Sequence, residues 1–233
     1  MTMRPVRLAL VLLATTLGAS AVTAAEPPSA DLAAVTQRGV LRMVCFPHQD
    51  SEFVAVNLAA GPMAKNGTAA SFVGADVDIM AGFAEELGVG LVVHPVAEPS
   101  YGALIPALLA GEGDVIASSL TITDERRDRV GFSRPYHRVH PVVLARAGRG
   151  LASADDLAGL TAAAIPGSSQ EEMLKGLGFT ADRLHAVSFT RDGLLAVTDG
   201  EADVVVVDSN AADRMLPESP GLAVAFLLPG EED

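Results

Sequence analysis

The chain has 233 residues, of which 49% are hydrophobic and only 4% aromatic, so an extensive and mainly aliphatic core is expected. Asp and Glu number 29 against 16 Lys and Arg, which gives a formal net charge of −13. This charge argues against binding to nucleic acid or to an anionic membrane surface. A single cysteine, Cys45, excludes an internal disulfide bond, and its apolar surroundings predict a small core residue.

The first 25 residues have the pattern of a secretory signal peptide. Arg4 and Arg7 precede the apolar run LALVLLATTL, and small residues follow as far as Ala24 and Ala25, where cleavage is expected. The apolar run is too short to be a good membrane span. Because no cysteine lies near the cleavage point, no lipid anchor is expected. The sequence therefore predicts an exported protein.

After the signal peptide, strands and helices are predicted to alternate. The predicted strands are VLRMVCF, VGLVVHPV, DVIASSL, PVVLARAG, TAAAIPG, RLHAVSF and DVVVVD. The predicted helices are GADVDIMAGFAEELG, GALIPALLAGEG, SADDLAG, SSQEEMLKGLG, DGLLAVTDGEA and SNAADRML. Asp76 is expected to cap the first of these helices and Gly88 to end it, while residues 51–71 are expected to form an extended loop or a hairpin. Short connections between alternating elements predict an α/β fold with parallel sheets covered by helices.

The segment SSLTITDERRDRVGFSRPY contains a cluster of basic residues. Its four arginines are Arg126, Arg127, Arg129 and Arg134. Thr123 is expected to cap a short helix, which leaves Arg126 one turn from the end of a strand, where its guanidinium can bind a carboxylate bidentately. Ser119 and Thr121 add hydroxyl groups and backbone donors at the same strand end. The alternative is that all four arginines lie on a solvated surface.

Two further strand ends carry polar residues. In IPGSSQEE, Ser168 and Ser169 precede a helix, so one hydroxyl is expected to cap it while the other joins the first-turn amides in binding an anion. A plain capped helix is the alternative reading of this motif. Asp208 ends an apolar strand and needs a cation or several donors, unless it caps the helix that follows. Together, an arginine with helix amides and an aspartate suit the carboxylate and the ammonium group of an α-amino acid.

These motifs resemble those of the family 3 solute-binding proteins, the periplasmic amino-acid receptors of ABC transporters. The resemblance covers nearly the whole chain after the signal peptide and is most specific in YGALIPALLAGEGDVIASSLTITDERRDRVGFSRPY. It implies that Arg126 grips the ligand carboxylate and that Asp208 holds the α-amino group. The other ligand-binding residues that it implies are Ser119, Thr121, Ser168, Ser169, Tyr101 and Phe46. Relatives that bind cationic amino acids tend to have an acid where Phe46 stands, so a neutral ligand side chain, polar or apolar, is expected. The alternative is that His48, Gln49 and Asp50, which follow Phe46, reverse this preference.

The resemblance also implies the type II periplasmic-binding-protein fold, in which two α/β lobes, with mostly parallel sheets flanked by helices, close on a ligand. The expected divisions are the signal peptide at 1–25, a first lobe at 26–140, and a second lobe at 141–233 with the approach to the second hinge crossing. Because the family pattern continues beyond AFLLPGEED, the C-terminal part of the first lobe is expected to be missing. The implied protein is a periplasmic monomer that delivers an amino acid to an ABC transporter permease in the inner membrane, with no cofactor, metal or nucleic acid.

Two alternatives stay open. The same module precedes the catalytic domain of membrane-bound lytic transglycosylases and forms part of some sensor kinases, and a fragment of either protein would have this pattern. A dehydratase also shares the fold, but it needs an acid or base in the pocket that does not anchor the ligand. Glu98, close to Tyr101, is the only candidate for that role. A binding protein rather than an enzyme is therefore expected.

Overall fold

The structure is a computed structural model that describes residues 32–47, 51–57, 67–68, 71–98 and 100–230, so the predicted signal peptide lies outside the described residues. The strands, in chain order, are β1 (Val40–Cys45), β2 (Ala55–Val56), β3 (Gly67–Thr68), β4 (Phe72–Val73), β5 (Gly90–Pro95), β6 (Val115–Ile116), β7 (Pro141–Arg146), β8 (Ala162–Ala164), β9 (Leu184–Ala186), β10 (Val204–Asp208) and β11 (Leu222–Leu227). The α-helices are α1 (Leu32–Arg38), α2 (Ala75–Glu86), α3 (Leu104–Leu109), α4 (Asp124–Arg127), α5 (Ser169–Gly176), α6 (Thr190–Asp199) and α7 (Ser209–Met215). Short 3-10 helices span Tyr101–Ala103, Ala154–Leu157, Ala181–Arg183 and Leu216–Glu218. In these ranges, no helix is both long and apolar enough to cross a membrane.

The first sheet has the spatial order β3-β5-β1-β6. β1 pairs in parallel with β5 on one side and with β6 on the other, and β3 adds an antiparallel edge to β5. α2 lies between β1 and β5 in the chain and α3 between β5 and β6, as parallel pairing requires. Met43, Cys45 and Val93 of the sheet pack with Val77 of α2 in the core. The predicted role of Cys45 as a core residue is therefore confirmed.

The second sheet has the spatial order β11-β7-β10-β8-β9. β10, β8 and β9 are parallel to each other, while β7 is antiparallel to both β10 and β11. Alternate residues of the central strands face opposite sides, so Leu144 and Val205 pack with α6 while Val143 and Val204 pack with Leu174 of α5. Helices cover both faces of this sheet, as expected for an α/β fold.

The chain therefore forms two α/β units, and the predicted α/β fold is confirmed. We call the described residues before 141 the first lobe and those from 141 onward the second lobe. This boundary falls between β6 and β7, the last strand of one sheet and the first strand of the next. Placing the division between the lobes at this point stays a prediction. Within the segment predicted as a loop or hairpin, β2 pairs antiparallel with β4, which directly follows the segment.

The predicted cap of α2 is wrong. The capping residue is Gly74, with φ of 128°, a conformation that glycine adopts readily and other residues avoid. Gly74 also lies so close to the backbone of Phe53 that a Cβ atom would collide with it. Asp76 lies within the first turn of α2, and its carboxylate binds groups outside the helix. The predicted end of the helix is confirmed, because Gly88 follows the last turn with φ of 68°.

Candidate ligand-binding site

Strand ends from the two sheets meet in a cleft between the lobes. The segments that meet there are the end of β1 with Phe46, the loop 118–121 after β6, the loop 166–169 after β8, and Asp208 at the end of β10. Across the cleft, the hydroxyl oxygens of Thr121 and Ser169 lie 3.1 Å apart. The hydroxyl of Ser100 donates to the carbonyl of Pro166 at 2.8 Å. The residues predicted separately at three strand ends therefore lie around one site.

Arg126 is the buried member of the arginine cluster. Its side chain leaves α4, whose N-cap Thr123 accepts the backbone N–H of Arg126 as predicted. Arg126 is 6% exposed, whereas the other three arginines of the segment are exposed. Its guanidinium donates to the carbonyl of Thr121 at 2.8 Å and, across the cleft, to that of Gly167 at 2.9 Å. The nearest carboxylate oxygen, from the part-exposed Glu172, is 3.5 Å away.

The two serines before α5 have different roles. Ser168 caps the helix, because its hydroxyl accepts the backbone N–H of Glu171 at 3.1 Å. The carboxylate of Glu171 in turn accepts the backbone N–H of Gly167 at 2.9 Å. Ser169 is buried, and its hydroxyl meets Thr121 of the first lobe. The expected division of labour is therefore present, with Ser169 as the serine that faces the cleft.

Asp208 ends β10 and lies at the N-cap position of α7, but its side chain makes no capping hydrogen bond. Instead, Nε2 of Gln170 donates to Oδ1 of Asp208 at 2.6 Å. The carboxylate lines the cavity between the lobes. Of the two roles that the sequence left open, the structure does not show the helix cap. It places an acid at the cleft, where an ammonium group could bind it.

An aromatic cluster forms one wall of the cleft. Phe46 is buried and packs edge-on against Tyr101, with ring centroids 5.3 Å apart. Phe46 also stacks against Phe189 of the second lobe, with ring centroids 5.9 Å apart. Tyr101 and Phe189 line the cavity, whereas Phe46 supports them from behind. Burial raises the pKa of Tyr101 to about 12, although the hydrogen bond with the Ser119 side chain opposes the shift, so the hydroxyl stays protonated at neutral pH.

Asp76 supports the loop that carries Ser119. Ser119 has φ of 45°, a left-handed conformation that non-glycine residues rarely adopt. The carboxylate of Asp76 accepts the backbone N–H of Ser119 at 2.8 Å and the hydroxyl of Tyr136 at 2.7 Å. Burial raises the pKa of Asp76, while these two hydrogen bonds and the charge of His137 oppose the shift. The sequence did not predict this role.

The cleft encloses a cavity of 130 Å³ that both lobes line. Its walls include the predicted residues Tyr101, Ser119 and Asp208, and also Glu52, Phe189 and Asn210, which were not predicted. A larger cavity of 480 Å³ lies beside β6 and has mostly apolar walls. Ser119 and Asp208 line both cavities, and Thr121 lines the larger one. Arg126, Ser168 and Ser169 line neither cavity and are buried beside them. In the described ranges, no cluster of His, Cys, Asp and Glu is arranged to hold a metal ion.

Comparison with known proteins gives consistent matches. A model of the bacterial extracellular solute-binding proteins, family 3, matches residues 53–212, a range that holds every predicted ligand-binding residue except Phe46. Membrane-bound lytic murein transglycosylase F of Maricaulis maris is 35% identical over 164 residues, which are 68% of this chain and 36% of that protein. A probable histidine-binding protein of Campylobacter jejuni is 30% identical over 150 residues, which are 64% of this chain and 57% of that protein.

A solved structure also matches the fold. The arginine-bound form of truncated ArgBP from T. maritima has a TM-score of 0.72 with this chain at 28% identity, over 86% of this chain and 88% of that one. The match extends across both lobes and agrees with the predicted type II periplasmic-binding-protein fold. The chain spans only 36% and 57% of the length of the two curated relatives above.

Proposed function

Since the chain belongs to the bacterial extracellular solute-binding proteins of family 3, we propose that it binds an amino acid between its lobes for delivery to an ABC transporter permease. The ligand carboxylate binds Arg126, with Thr121, Ser168 and Ser169 around it. The ligand ammonium group binds Asp208. An α-amino acid carries both a carboxylate and an ammonium group. It therefore fits the site better than a simple anion, which lacks the ammonium group, or a simple amine, which lacks the carboxylate.

Burial of Arg126 is the observation that supports this proposal most directly. A buried charge is unfavourable unless it is paired and hydrogen-bonded. The guanidinium has five N–H donors, and its two short hydrogen bonds go to neutral carbonyls of Thr121 and Gly167. Glu172, at 3.5 Å, is in contact but too far for a short charge-assisted hydrogen bond. A ligand carboxylate would supply the closely bound negative charge.

The contacts between the lobes support binding by closure. Arg126 joins the lobes through Gly167, and Thr121 meets Ser169 across the same cleft. A ligand held by Arg126 from one lobe and by Asp208 from the other would stabilise the closed arrangement. Closure also removes water from the carboxylate and guanidinium pair, which strengthens their attraction. The permease would then recognise the closed surface of a monomer.

The names of the relatives indicate which amino acids to try first. One relative is called a probable histidine-binding protein, and a matching structure is an arginine-bound ArgBP. We therefore propose arginine and histidine as the first ligands to test. Export to the periplasm after cleavage behind residue 25, without a lipid anchor, belongs to the same proposal. N-terminal sequencing of the protein from a periplasmic extract tests it, since a first residue of Glu26 is expected.

An enzymatic role is not part of the proposal. A dehydratase would need Glu98 as the acid or base in the pocket. Glu98 is exposed and lines neither cavity. Of the charged groups that line the smaller cavity, Asp208 is assigned to the ligand ammonium group rather than to acid or base catalysis. Binding without chemical change is therefore the activity that we propose.

A second candidate is the ligand-binding module of a lytic transglycosylase. It is favoured by the 35% identity to transglycosylase F of Maricaulis maris, of which this chain matches 36%. In that case the module would still bind a small ligand, but one that informs cell-wall cleavage rather than transport. Peptide-bearing murein fragments are the corresponding ligands to test.

Thermal melting of the protein against the twenty amino acids and against murein fragments separates the two functions. A ligand at a hundred times its Kd adds about 2.7 kcal/mol to the free energy of unfolding, which is an easily measured shift. A shift with a small set of free amino acids supports transport. A shift with murein peptides alone supports the transglycosylase module, and a cooperative melt without any shift argues against both.

A further inference from the structure

The cavity between the lobes has a second polar region that the anchoring of an α-amino acid does not use. It consists of Glu52 from the first lobe with Asn210 and Arg214 from α7 of the second. These three residues line the same 130 Å³ cavity as Asp208. When the ammonium group of a ligand binds Asp208, the ligand side chain would therefore occupy the cavity that this polar region lines.

The side-chain amide of Asn210 donates one hydrogen bond, but its oxygen accepts none from the described residues. Its Nδ2 donates to the carboxylate of Glu52 across the cleft. Because a carboxylate only accepts hydrogen bonds, the amide must turn its nitrogen toward Glu52, which fixes the position of its oxygen. That oxygen, Oδ1, is buried and has no hydrogen-bond partner in the part of the chain that the structure describes. Since buried polar atoms are normally paired, Oδ1 marks a place for a donor from a ligand.

The cation beside Glu52 is only loosely paired with it. Nη1 of Arg214 lies 3.8 Å from Oε2 of Glu52. A direct charge-assisted hydrogen bond would be about 2.7–2.9 Å long. The two side chains are 38% and 43% exposed, so water solvates both of them. A ligand cation that makes short hydrogen bonds can therefore replace Arg214 as the partner of Glu52.

In the part of the cavity that would hold the ligand side chain, acidic groups outnumber the basic groups available to pair with them. The charged residues that line it are Glu52, Asp192, Asp208, Arg191 and Arg214. Arg191 lies 3.3 Å from Glu218, a carboxylate that does not line the cavity. Asp208 is assigned to the ligand ammonium group. Asp192 accepts the backbone N–H of Phe189 at 3.1 Å at the start of α6. Glu52 then has one loosely held guanidinium as its charged partner, so a ligand side chain with donors and a positive charge is favoured there.

We infer that Glu52 and Oδ1 of Asn210 form a subsite for the cationic side chain of an amino acid, which displaces Arg214 from Glu52. This inference rests on the proposed amino-acid binding and names the class of ligand. It replaces the expectation of a neutral side chain, which rested on Phe46 at the end of β1. Phe46 at that position is buried behind Tyr101, and the negative charge comes instead from the segment that follows β1.

Arginine and citrulline provide the test, because they have nearly the same shape but only arginine is charged. Titration calorimetry of the protein is expected to give at least about tenfold tighter binding of arginine. In Glu52→Gln the ratio of the two affinities falls to about one, because arginine binding weakens while citrulline binding changes little. The matched control is Glu98→Gln, which alters an exposed acid outside both cavities and leaves the ratio unchanged.

A second variant keeps the inference falsifiable if Glu52→Gln does not fold. Arg214→Ala removes the competing cation, so arginine is expected to bind more tightly by about threefold or more while citrulline is unaffected. Equal binding of arginine and citrulline by the unaltered protein would overturn the subsite and leave amino-acid binding intact. The absence of binding by any amino acid would overturn both. No gain for arginine in Arg214→Ala would also contradict the proposed displacement.

Discussion

The buried carboxylate of Asp76 accepts the backbone N–H of Ser119 at 2.8 Å, although the two residues lie in separate segments of the first lobe. This bond, together with the one from Tyr136, holds the loop after β6 in a conformation that includes a left-handed serine. The same loop presents Thr121, whose carbonyl accepts from Arg126. Asp76 lies in α2, so the conformation of the loop 118–121 depends on a residue from a different element.

Replacing Asp76 with alanine is expected to weaken both the fold and ligand binding. The change leaves the N–H of Ser119 and the hydroxyl of Tyr136 without their acceptor, which costs about 2–5 kcal/mol. Urea unfolding measures the loss of stability, and calorimetry measures affinity in the fraction that folds. Asp78→Ala is the matched control, because Asp78 lies in the same helical turn but is exposed. Equal effects of the two substitutions would contradict the role given to Asp76.

Gly167→Ala is expected to prevent the lobes from closing fully. A Cβ at Gly167 would collide with the backbone of Gly102 in the first lobe, whereas one at Gly148 would meet nothing within 4 Å. Both glycines have left-handed φ angles, 72° and 79°, so each substitution costs about 1–2 kcal/mol in backbone strain. Only Gly167→Ala is expected to weaken ligand binding, by about tenfold or more. A similar loss of affinity in Gly148→Ala would show that strain, not closure, is responsible.

Asp114 makes stability depend on pH. Burial alone would raise the pKa of Asp114, but hydrogen bonds and charges from Arg42, with the charge of Arg38, lower it overall. A carboxylate with a lowered pKa stabilises the fold above its unfolded pKa of about 3.9, and this contribution is lost as the pH falls through the folded value. The free energy of unfolding is therefore expected to fall below about pH 4.

Urea unfolding of Asp114→Asn between pH 7 and pH 3 tests the contribution of Asp114 to the pH dependence of stability. The variant is expected to lose about 1–3 kcal/mol at pH 7, because Arg42 loses its partner, and to show a shallower decline on acidification. Asp203 contributes to the remaining slope, since hydrogen bonds from Thr161 outweigh burial and lower its pKa too. If the free energy of unfolding of Asp114→Asn fell on acidification as steeply as that of the unaltered protein, the contribution assigned to Asp114 would be contradicted.

The order of strands and helices was predictable because each element carries a local signal. Apolar runs such as that of β10 are bounded by turn residues, and Gly88 marks the end of α2. Asp76 was misassigned because an acid beside a helix start satisfies the capping pattern whatever its side chain binds. Its actual partners, Ser119 and Tyr136, are distant in sequence, so no local pattern reveals them.

Most of the predicted site residues lie at or soon after strand ends, where a topological rule indicates that ligands bind. Arg126, Ser169 and Asp208 were predicted in this way, and the structure brings them to one cleft. Glu52, which lines the cavity, was not predicted because it lies in a segment without periodicity, and its partner Asn210 is 158 positions further along the chain. The serine and aspartate motifs predict where a ligand backbone binds, whereas the side-chain region depends on long-range packing that the sequence does not display.

Calorimetric titration of Arg126→Ala with the amino acid that binds the unaltered protein most tightly tests the central claim most directly. Arg129→Ala is the matched control, because Arg129 belongs to the same cluster but is exposed. Loss of the charge-assisted hydrogen bonds is expected to weaken binding by at least about a hundredfold in Arg126→Ala and to leave Arg129→Ala unchanged. A folded Arg126→Ala protein that binds the amino acid as tightly as the unaltered one would contradict the assignment of Arg126 as the carboxylate anchor.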